Sequence, residues 1–348
     1  MTRPPAQLLH TKNETDRAGA ILAAGDSSLP GFAAACAVAC DWRNAHAYPL
    51  NYLQITLRRH VQAIDAKALV SQRLKRLASI RRKLERFPQM QLSRIQDLGG
   101  CRAIVADCRK VRQLQQRLLK SRWKHELVKV HDYLAAPKAS GYRGIHLVYR
   151  YRSDQVPALN GLLIEIQLRS RLQHAWATAV ETIGILLNQS LKSSQGEAEW
   201  LKFFTLVSSA FARREGETAI PGTPEGEILH AEIRRSAAAL DVVAKLSHFN
   251  QLLRISQEET AKQKKIETLV LYLDTAINAL AVWKFGPEEA EAARTRYSEM
   301  EKSIGDNPRQ DVVLVSVSSL QKLREAYPNY FLDTKHFVHE LNKIIGES

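Results

Sequence analysis

Two acidic residues, Asp97 and Glu165, stand in settings that suit one shared divalent cation. Asp97 lies in Ser93-Arg94-Ile95-Gln96-Asp97-Leu98-Gly99-Gly100-Cys101-Arg102-Ala103-Ile104-Val105, at the mouth of an apolar strand. Glu165 lies inside Leu163-Ile164-Glu165-Ile166-Gln167-Leu168-Arg169, a stretch of strict alternation. Alternation puts Ile164, Ile166 and Leu168 on one face of a strand and Glu165 and Gln167 on the other. Carboxylate oxygens are the hard donors Mg²⁺ prefers, and Mg²⁺ takes one or two of them beside substrate phosphates. Basic residues surround both segments, so the chemistry indicated is metal-assisted phosphate transfer. In an antiparallel sheet the two carboxylates would lie close enough to chelate one cation. Taken singly, Glu165 also reads as a solvent-facing residue and Asp97 as a turn cap.

Two further segments weigh toward the chemical reading. Arg73-Leu74-Lys75-Arg76-Leu77-Ala78-Ser79-Ile80-Arg81-Arg82-Lys83 belongs to a basic amphipathic pattern from Ser71 to Arg86, which predicts a helix. Residues three or four apart stack on one helical face. Arg73, Arg76 and Lys83, or Lys75, Ser79 and Arg82, would form a cationic stripe for a nucleotide triphosphate; a solvated basic helix is the plainer alternative. The second segment runs from Asp132 to His146. Pro137, Gly141 and Gly144 make it a shaped loop that presents Tyr142 at an exposed tip. A tyrosine so placed stacks on a base, an interaction of about 1–3 kcal/mol, and Lys138, Arg143 and His146 would reach phosphates.

The elements that must position these residues follow from patterning. With 348 residues and 45% hydrophobic content, the chain is long enough for two globular domains. Its net charge of +14 favours a polyanionic partner, although a solvated basic surface gives the same number. Helices are expected from Ser28-Leu29-Pro30 to Arg43 and from Tyr48-Pro49-Leu50 to Ile64, with residues 1–28 a mobile arm or loose first helix. Strands are expected at 101–106, 126–130, 145–151 and 162–168. Asp107 would cap a helix to Arg122, and helices would follow over 171–187 and 197–214. Thr218-Ala219-Ile220-Pro221-Gly222-Thr223-Pro224 reads as a linker. Beyond it a long helix is expected over 227–258, then strands at 266–273 and 280–285, a helix from Pro287, a strand at 312–317 and a last helix capped by Asp333. The four cysteines, Cys36, Cys40, Cys101 and Cys108, form no CxxC pair, which suits buried thiols in a reducing, cytoplasmic setting. The run Phe32 to Cys40 is too short to span a membrane, and no membrane partner is expected.

Read together, these motifs resemble the synthetase domain of RelA/SpoT-type enzymes. The resemblance covers roughly residues 40–215. It is carried by Arg73-x-Lys75 with Ser79 and Lys83, Arg94-Ile95-x-Asp97-Leu98-x-Gly100-x-Arg102, Asp132-Tyr133 with Pro137-Lys138 and Gly141-Tyr142-x-x-Ile145-His146, and Glu165-Ile166-Gln167-Leu168-Arg169 with His174. It implies an α/β (α+β) fold, a nucleotidyltransferase-like mixed sheet flanked by helices. It also implies a pyrophosphokinase that moves pyrophosphate from ATP to a ribose 3′-hydroxyl. Asp97 and Glu165 would be catalytic and bind Mg²⁺. Arg73, Lys75, Ser79, Lys83 and Arg102 would hold ATP. Tyr142 would stack on the acceptor base, while Lys138, His146, Gln167 and Arg169 would shape the acceptor side. The family's hydrolase is not expected, because its separate metal domain has no histidine pattern here and His131-Asp132 reads as a strand end.

Asp41-Trp42-Arg43-x-x-His46-Ala47-Tyr48-Pro49-Leu50 and His174-Ala175-Trp176-Ala177-Thr178-x-x-Glu181-Thr182 are similar to the toxic single-synthetase branch. Ala326-Tyr327-Pro328-Asn329-Tyr330-Phe331 resembles the Tyr-x-x-Tyr element of CapRel-type fused toxin–antitoxin proteins; two aromatics in a small core is the plainer account of Tyr327 and Tyr330. That likeness implies a synthetase domain over 1–216, a linker and helical stalk over 217–262, and a pseudo-zinc-finger domain over 263–348. No cysteine follows Cys108. It further implies a tRNA 3′-CCA end as acceptor, autoinhibition through Tyr327 and Tyr330, and a phage capsid protein as trigger. Arg58, Arg59, Arg81 and Arg82 are candidates for the acceptor stem. The alternatives are a small alarmone synthetase making (p)ppGpp or (p)ppApp, and a non-catalytic RNA-binding module.

Overall fold

Ile164, Ile166 and Leu168 are fully enclosed, and their alternation sets β5 (Leu163–Ser170) at the centre of a five-stranded sheet. The structure is a computed structural model that describes residues 8–187, 191, 196–252, 254–259, 268–277, 279–305, 307, 309–316 and 334–346. The other strands of this sheet are β1 (Leu69–Leu74), β2 (Gly99–Val105), β3 (Glu126–Asp132) and β4 (Ile145–Arg150), in the order β1-β2-β5-β4-β3. The sheet is mixed and flanked by helices. β2 and β5 run parallel, with Gly100 opposite Glu165. This corrects the antiparallel pairing expected for the Asp97 and Glu165 segments. The chain leaves β2 through α5 (Cys108–Leu119), returns along the β3–β4 hairpin, and so enters β5 in the direction of β2.

The expected helix over Ser71–Arg86 is also corrected. Residues 69–74 form an edge strand paired antiparallel with β2, Leu69 opposite Ile104 and Leu74 opposite Gly99. Helix α4 (Leu77–Arg86) begins only after the extended Arg76. Leu, Arg and Lys favour helix as isolated residues, but the open edge of β2 offers a full ladder of backbone partners, and tertiary pairing overrides a weak propensity.

Before the sheet come α1 (Lys12–Ala23), α2 (Phe32–Ala45) and α3 (Ala47–Gln62). Helix α1 is anchored by a capping box in which Thr11 and Glu14 satisfy each other's backbone N–H. Asp107 caps α5 by accepting the Lys110 N–H, as the sequence predicts. Ser170 and Gln173 form a second capping box, which turns the end of β5 directly into α6 (Arg171–Leu186).

A second, mainly helical core follows. It joins α6, α7 (Ala198–Arg214), α8 (Gly226–Ala239) and α9 (Val242–Leu252) around Trp200, Phe203, Phe204 and Phe211. The single helix expected over 227–258 is two helices and a strand. Asp241 takes a positive φ of 52° at the break, and β6 (Arg254–Glu259) begins before the expected helix would end. A small sheet of order β6-β8-β7-β9 contains β7 (Thr268–Asp274), β8 (Ala279–Phe285) and β9 (Gln310–Ser316), backed by α10 (Ala290–Ile304). The last helix, α11 (Lys335–Ile345), which the sequence reading grouped with residues 263–348, packs on the helical core. Phe337, Leu341, Ile344 and Ile345 lie among the residues of α6 to α9. Tyr327 and Tyr330 lie outside the described residues.

The small sheet is pinned to the large one by charge. The Arg43 side chain is only 1% exposed and donates to both oxygens of Glu301 on α10, at 2.9 and 2.7 Å. Glu301 also accepts the Leu77 N–H at 2.8 Å. It thereby caps α4, whose own N-cap residue, Arg76, makes no side-chain cap bond. Arg76 pairs instead with Asp311 of β9 at 2.6 Å. Replacing Glu301 by alanine leaves Arg43 buried without its counter-charge. Breaking such a pair costs about 3–5 kcal/mol, so Glu301→Ala is expected to lower the urea midpoint strongly. Glu301→Gln keeps an acceptor for Leu77 and should lose less. Equal midpoints for Glu301→Ala and wild type would remove the latch from this account.

Candidate functional site

Three adjacent strands build one cleft on the sheet face opposite α3. β1 contributes Ser71 and Arg73, two residues apart on one face, and Lys75 continues the row just past the strand. β2 contributes Gly100 and Arg102, and β5 contributes Glu165 and Gln167. Asp97 enters from the turn before β2. Parallel pairing of β2 with β5 is what puts Gly100 beside Glu165, and a glycine there leaves the cleft open down to the backbone. Its neighbour Gly99 faces the other way. A Cβ on Gly99 would come within 2.8 Å of Ile164 Cδ1, so β2 and β5 pack closely only without a side chain there.

Asp97 sits between two ammonium groups, Lys75 Nζ at 2.7 Å and Lys83 Nζ at 2.8 Å. Burial by itself would raise its carboxyl pKa. Lys75 and Lys83 more than reverse that and hold it well below the usual carboxylate range. Lys83 comes from α4, so Asp97 ties that helix to the sheet. Glu165 is held differently. Burial raises its carboxyl, but hydrogen bonds from His146 Nδ1 (2.8 Å) and Gln167 Nε2 (2.6 Å) bring it below its ordinary value despite the nearby Asp97 charge. With a neutral imidazole the donors form one chain. Arg169 donates to the Tyr142 oxygen at 2.9 Å, Tyr142 O–H to His146 Nε2 at 2.5 Å, and His146 Nδ1–H to Glu165.

The structure thus brings Arg73, Lys75, Asp97, Arg102, Glu165 and Gln167 to one cleft, with Lys83 joined through Asp97 and His146 through Glu165. Ser79 lies on α4, half-buried and outside the residues lining the cleft. Tyr142 is not at an exposed tip. It is 8% exposed, its ring edge-on to Tyr133, with Lys138 Nζ 5.3 Å and Arg169 Cζ 5.1 Å from its centre. The reason is Gly141: its φ of 91° folds the loop inward, where a Cβ would meet Trp176 at 2.9 Å and Ser208 at 3.0 Å. Arg143, expected to reach phosphates, is buried and donates to Ser208 Oγ. Arg81 pairs with Glu85 and covers Phe32, and Arg82 lies on the exposed side of α4. Arg58 and Arg59 belong to α3, behind the sheet, where Cys101 Sγ donates to the Leu50 carbonyl. Sequence reasoning missed Ser71 and Glu301. Period-two spacing of Ser71, Arg73 and Lys75 carried the first; nothing local carried the second.

The donor set can hold a divalent cation: two carboxylates on one cleft, the remaining positions left to phosphate and water. Among the described residues no group of three or more His, Cys, Asp or Glu is assembled for a metal.

The charge pairing gives a stability prediction with a definite sign. Asp97 is depressed in the folded chain relative to about 3.9 unfolded. Its contribution is therefore present above about pH 4 and is lost as pH falls toward its folded value. Asp97→Asn should lower the urea midpoint at pH 7, leaving Lys75 and Lys83 facing each other. The gap to wild type should narrow as pH drops from about 5 to 2.5. A pH-independent gap would contradict the pairing.

Residues 72–183 match a family model described as the region found in RelA / SpoT proteins. The chain is 35% identical over 113 residues to the GTP pyrophosphokinase YjbM of Bacillus subtilis (strain 168), covering 31% of this chain and 52% of that protein. It is 29% identical over 97 residues to the GTP pyrophosphokinase YwaC of the same organism, covering 28% and 46%. The chain spans about half the length of these curated relatives. Among solved structures, the small alarmone synthetase 1 of Bacillus subtilis bound to its product pppGpp aligns with a TM-score of 0.42 at 24% identity, over 49% of this chain and 89% of that one. No described helix is long and apolar enough to cross a membrane. Over residues 72–183, the stretch that carries Asp97 and Glu165, this chain is similar to the region that RelA and SpoT proteins share.

Proposed function

We propose that the cleft is the active site of an ATP-dependent pyrophosphokinase. The observation that carries this reading is the meeting of Asp97 and Glu165 with Arg73, Lys75 and Arg102 on one cleft, inside the stretch that matches the RelA/SpoT region. Arg73, Lys75, Lys83 and Arg102 hold ATP, the two lysines trading part of their contact with Asp97 for phosphate oxygens. Asp97 and Glu165 would hold Mg²⁺, which when bound neutralises charge building on the phosphates. The acceptor's 3′-oxygen attacks the β-phosphorus, the bond from that phosphorus to the α–β bridging oxygen breaks, and AMP leaves. Glu165 accepts the hydroxyl proton, since its hydrogen bonds from His146 and Gln167 keep it ionised. Positioning and charge stabilisation carry most of such a reaction. Tyr142, Lys138, His146, Gln167 and Arg169 form the acceptor side. Tyr142 lies under Lys138 and Tyr133, so its ring must be uncovered before a base can stack on it.

The acceptor we favour is the 3′-CCA end of tRNA, whose modification would block translation; the +14 charge supports a large polyanionic acceptor. In the same reading, the small sheet and the Tyr327–Tyr330 segment restrain the cleft until a phage capsid protein binds, giving an abortive-infection toxin with its antitoxin in one chain. The contact of β9 with the cleft strand β1, and the pairing of Asp311 with Arg76 just past that strand, support a restraint at that place. The second reading, a small alarmone synthetase acting on GDP, GTP or an adenine nucleotide, is favoured by the names of the curated relatives.

Incubating the purified chain with ATP labelled in its β-phosphate and either tRNA or GDP distinguishes the two. Label on tRNA is expected, and label confined to nucleotide establishes the second reading instead. Asp97→Asn and Glu165→Gln should each lower transfer at least about a hundredfold, the scale on which charge-stabilising groups act. Tyr327→Ala should raise it. Full transfer in both carboxylate variants would end the catalytic reading.

A further inference from the structure

One face of α3 takes no part in the cleft. Tyr48, Tyr52, Ile55 and Arg59 recur at helical spacing and form a single outward stripe. Tyr48 is 44%, Tyr52 52% and Ile55 44% exposed, and Arg59 is exposed too. Exposed aromatics on a helix are usually isolated; here two are held in place from behind. Tyr52 meets His125 and Tyr151 edge-on at 5.4 and 6.2 Å, and Tyr48 meets Tyr151 at 6.5 Å. His125 and Tyr151 are themselves stacked at 5.0 Å. Each exposed ring is therefore backed by another ring of the fold.

Charge identifies the ligand class. The sixteen residues of α3 include Arg58, Arg59 and His60 and no carboxylate. Arg58 and Arg59 have no hydrogen-bond or ion-pair partner among the described residues, whereas Arg150, Arg152 and Lys124 nearby are matched by Glu126 and Asp154. Fixed aromatic faces beside uncommitted guanidinium groups are what bind a nucleic-acid strand: the rings take bases and the cations take phosphates. A second copy of this chain fits less well. Docking the patch on its own copy would bury Arg58 and Arg59 in an interface where α3 offers no carboxylate to pair them.

We propose that the Tyr48–Tyr52–Ile55–Arg59 stripe, with Arg58, is an RNA-binding surface separate from the catalytic cleft. It lies on the other face of the sheet and touches no reacting group, so it acts by docking and not by chemistry. The inference draws on the proposed function only for the kind of RNA, since a tRNA acceptor offers single-stranded and duplex parts that reach beyond the cleft.

The test is fluorescence anisotropy with the 348-residue chain, using a fluorescein-labelled tRNA and a labelled oligo(U) of about twelve nucleotides at about 50 and 200 mM salt. Tyr48→Ala/Tyr52→Ala should weaken binding of both probes at least fivefold, the lower end of what loss of a stacking ring produces. Arg58→Glu/Arg59→Glu should weaken it further and flatten the salt dependence by about one to two in logarithmic slope. Both variants should keep the wild-type circular dichroism and urea midpoint. Unchanged RNA affinity in both, or no RNA binding by wild type, overturns the proposal. So does a variant that converts a wild-type dimer to monomer in sedimentation with RNA affinity intact, which marks a self-association face. Loss of RNA binding in the variants, in a protein that transfers no pyrophosphate to any acceptor, keeps this inference and ends the catalytic one.

Discussion

Two carboxylates share one cleft, and each must stay ionised beside the other. Like charges at close range favour protonating one of them. The molecule resolves this asymmetrically. Asp97 is held by two ammonium groups, one at the end of an edge strand and one on α4. Glu165 is held by hydrogen bonds from its own strand and the next, Gln167 and His146. The two are thus held by separate partners, from opposite sides of the cleft.

That arrangement reaches well beyond the cleft. Lys83 is in place only if α4 is in place, and the first N–H of α4 is capped from α10, more than two hundred residues later in the chain. Arg43 secures the cap from α2. The chain is thus interleaved and not strung as beads. The small sheet stiffens the lysine-bearing helix, and α11 runs back from it to complete the core of α6 to α9.

Much of this was legible from local pattern. The alternation in Leu163–Arg169 placed Glu165 and Gln167 on the face away from Ile164, Ile166 and Leu168, and Asp107 announced α5 through the chemistry of its cap. The failures have physical causes. Arg73, Arg76 and Lys83 fit a helical period closely enough to hide the two-residue period of Ser71, Arg73 and Lys75, and only the vacant edge of β2 decides between them. The direction of β5 relative to β2 depends on a crossover and a hairpin in between, which no local pattern records. Tyr142 was expected outside because glycines flank it; Gly141 instead lets the loop dive against Trp176. Glu301 reads as one more charge on a polar helix until Arg43 and Leu77 are seen around it.

The return of α11 has a consequence for synthesis. The core around Trp200 and Phe204 stays open on one side until Phe337, Leu341 and Ile344 have emerged, about 130 residues after α7. At about 5–20 residues per second that is an interval of roughly 7–26 seconds. Throughout it the β2–β5 strands exist without the finished helical buttress behind Gly141 and Trp176. A ribosome-bound chain thus carries every residue of the cleft before it carries α11, which completes the helical core.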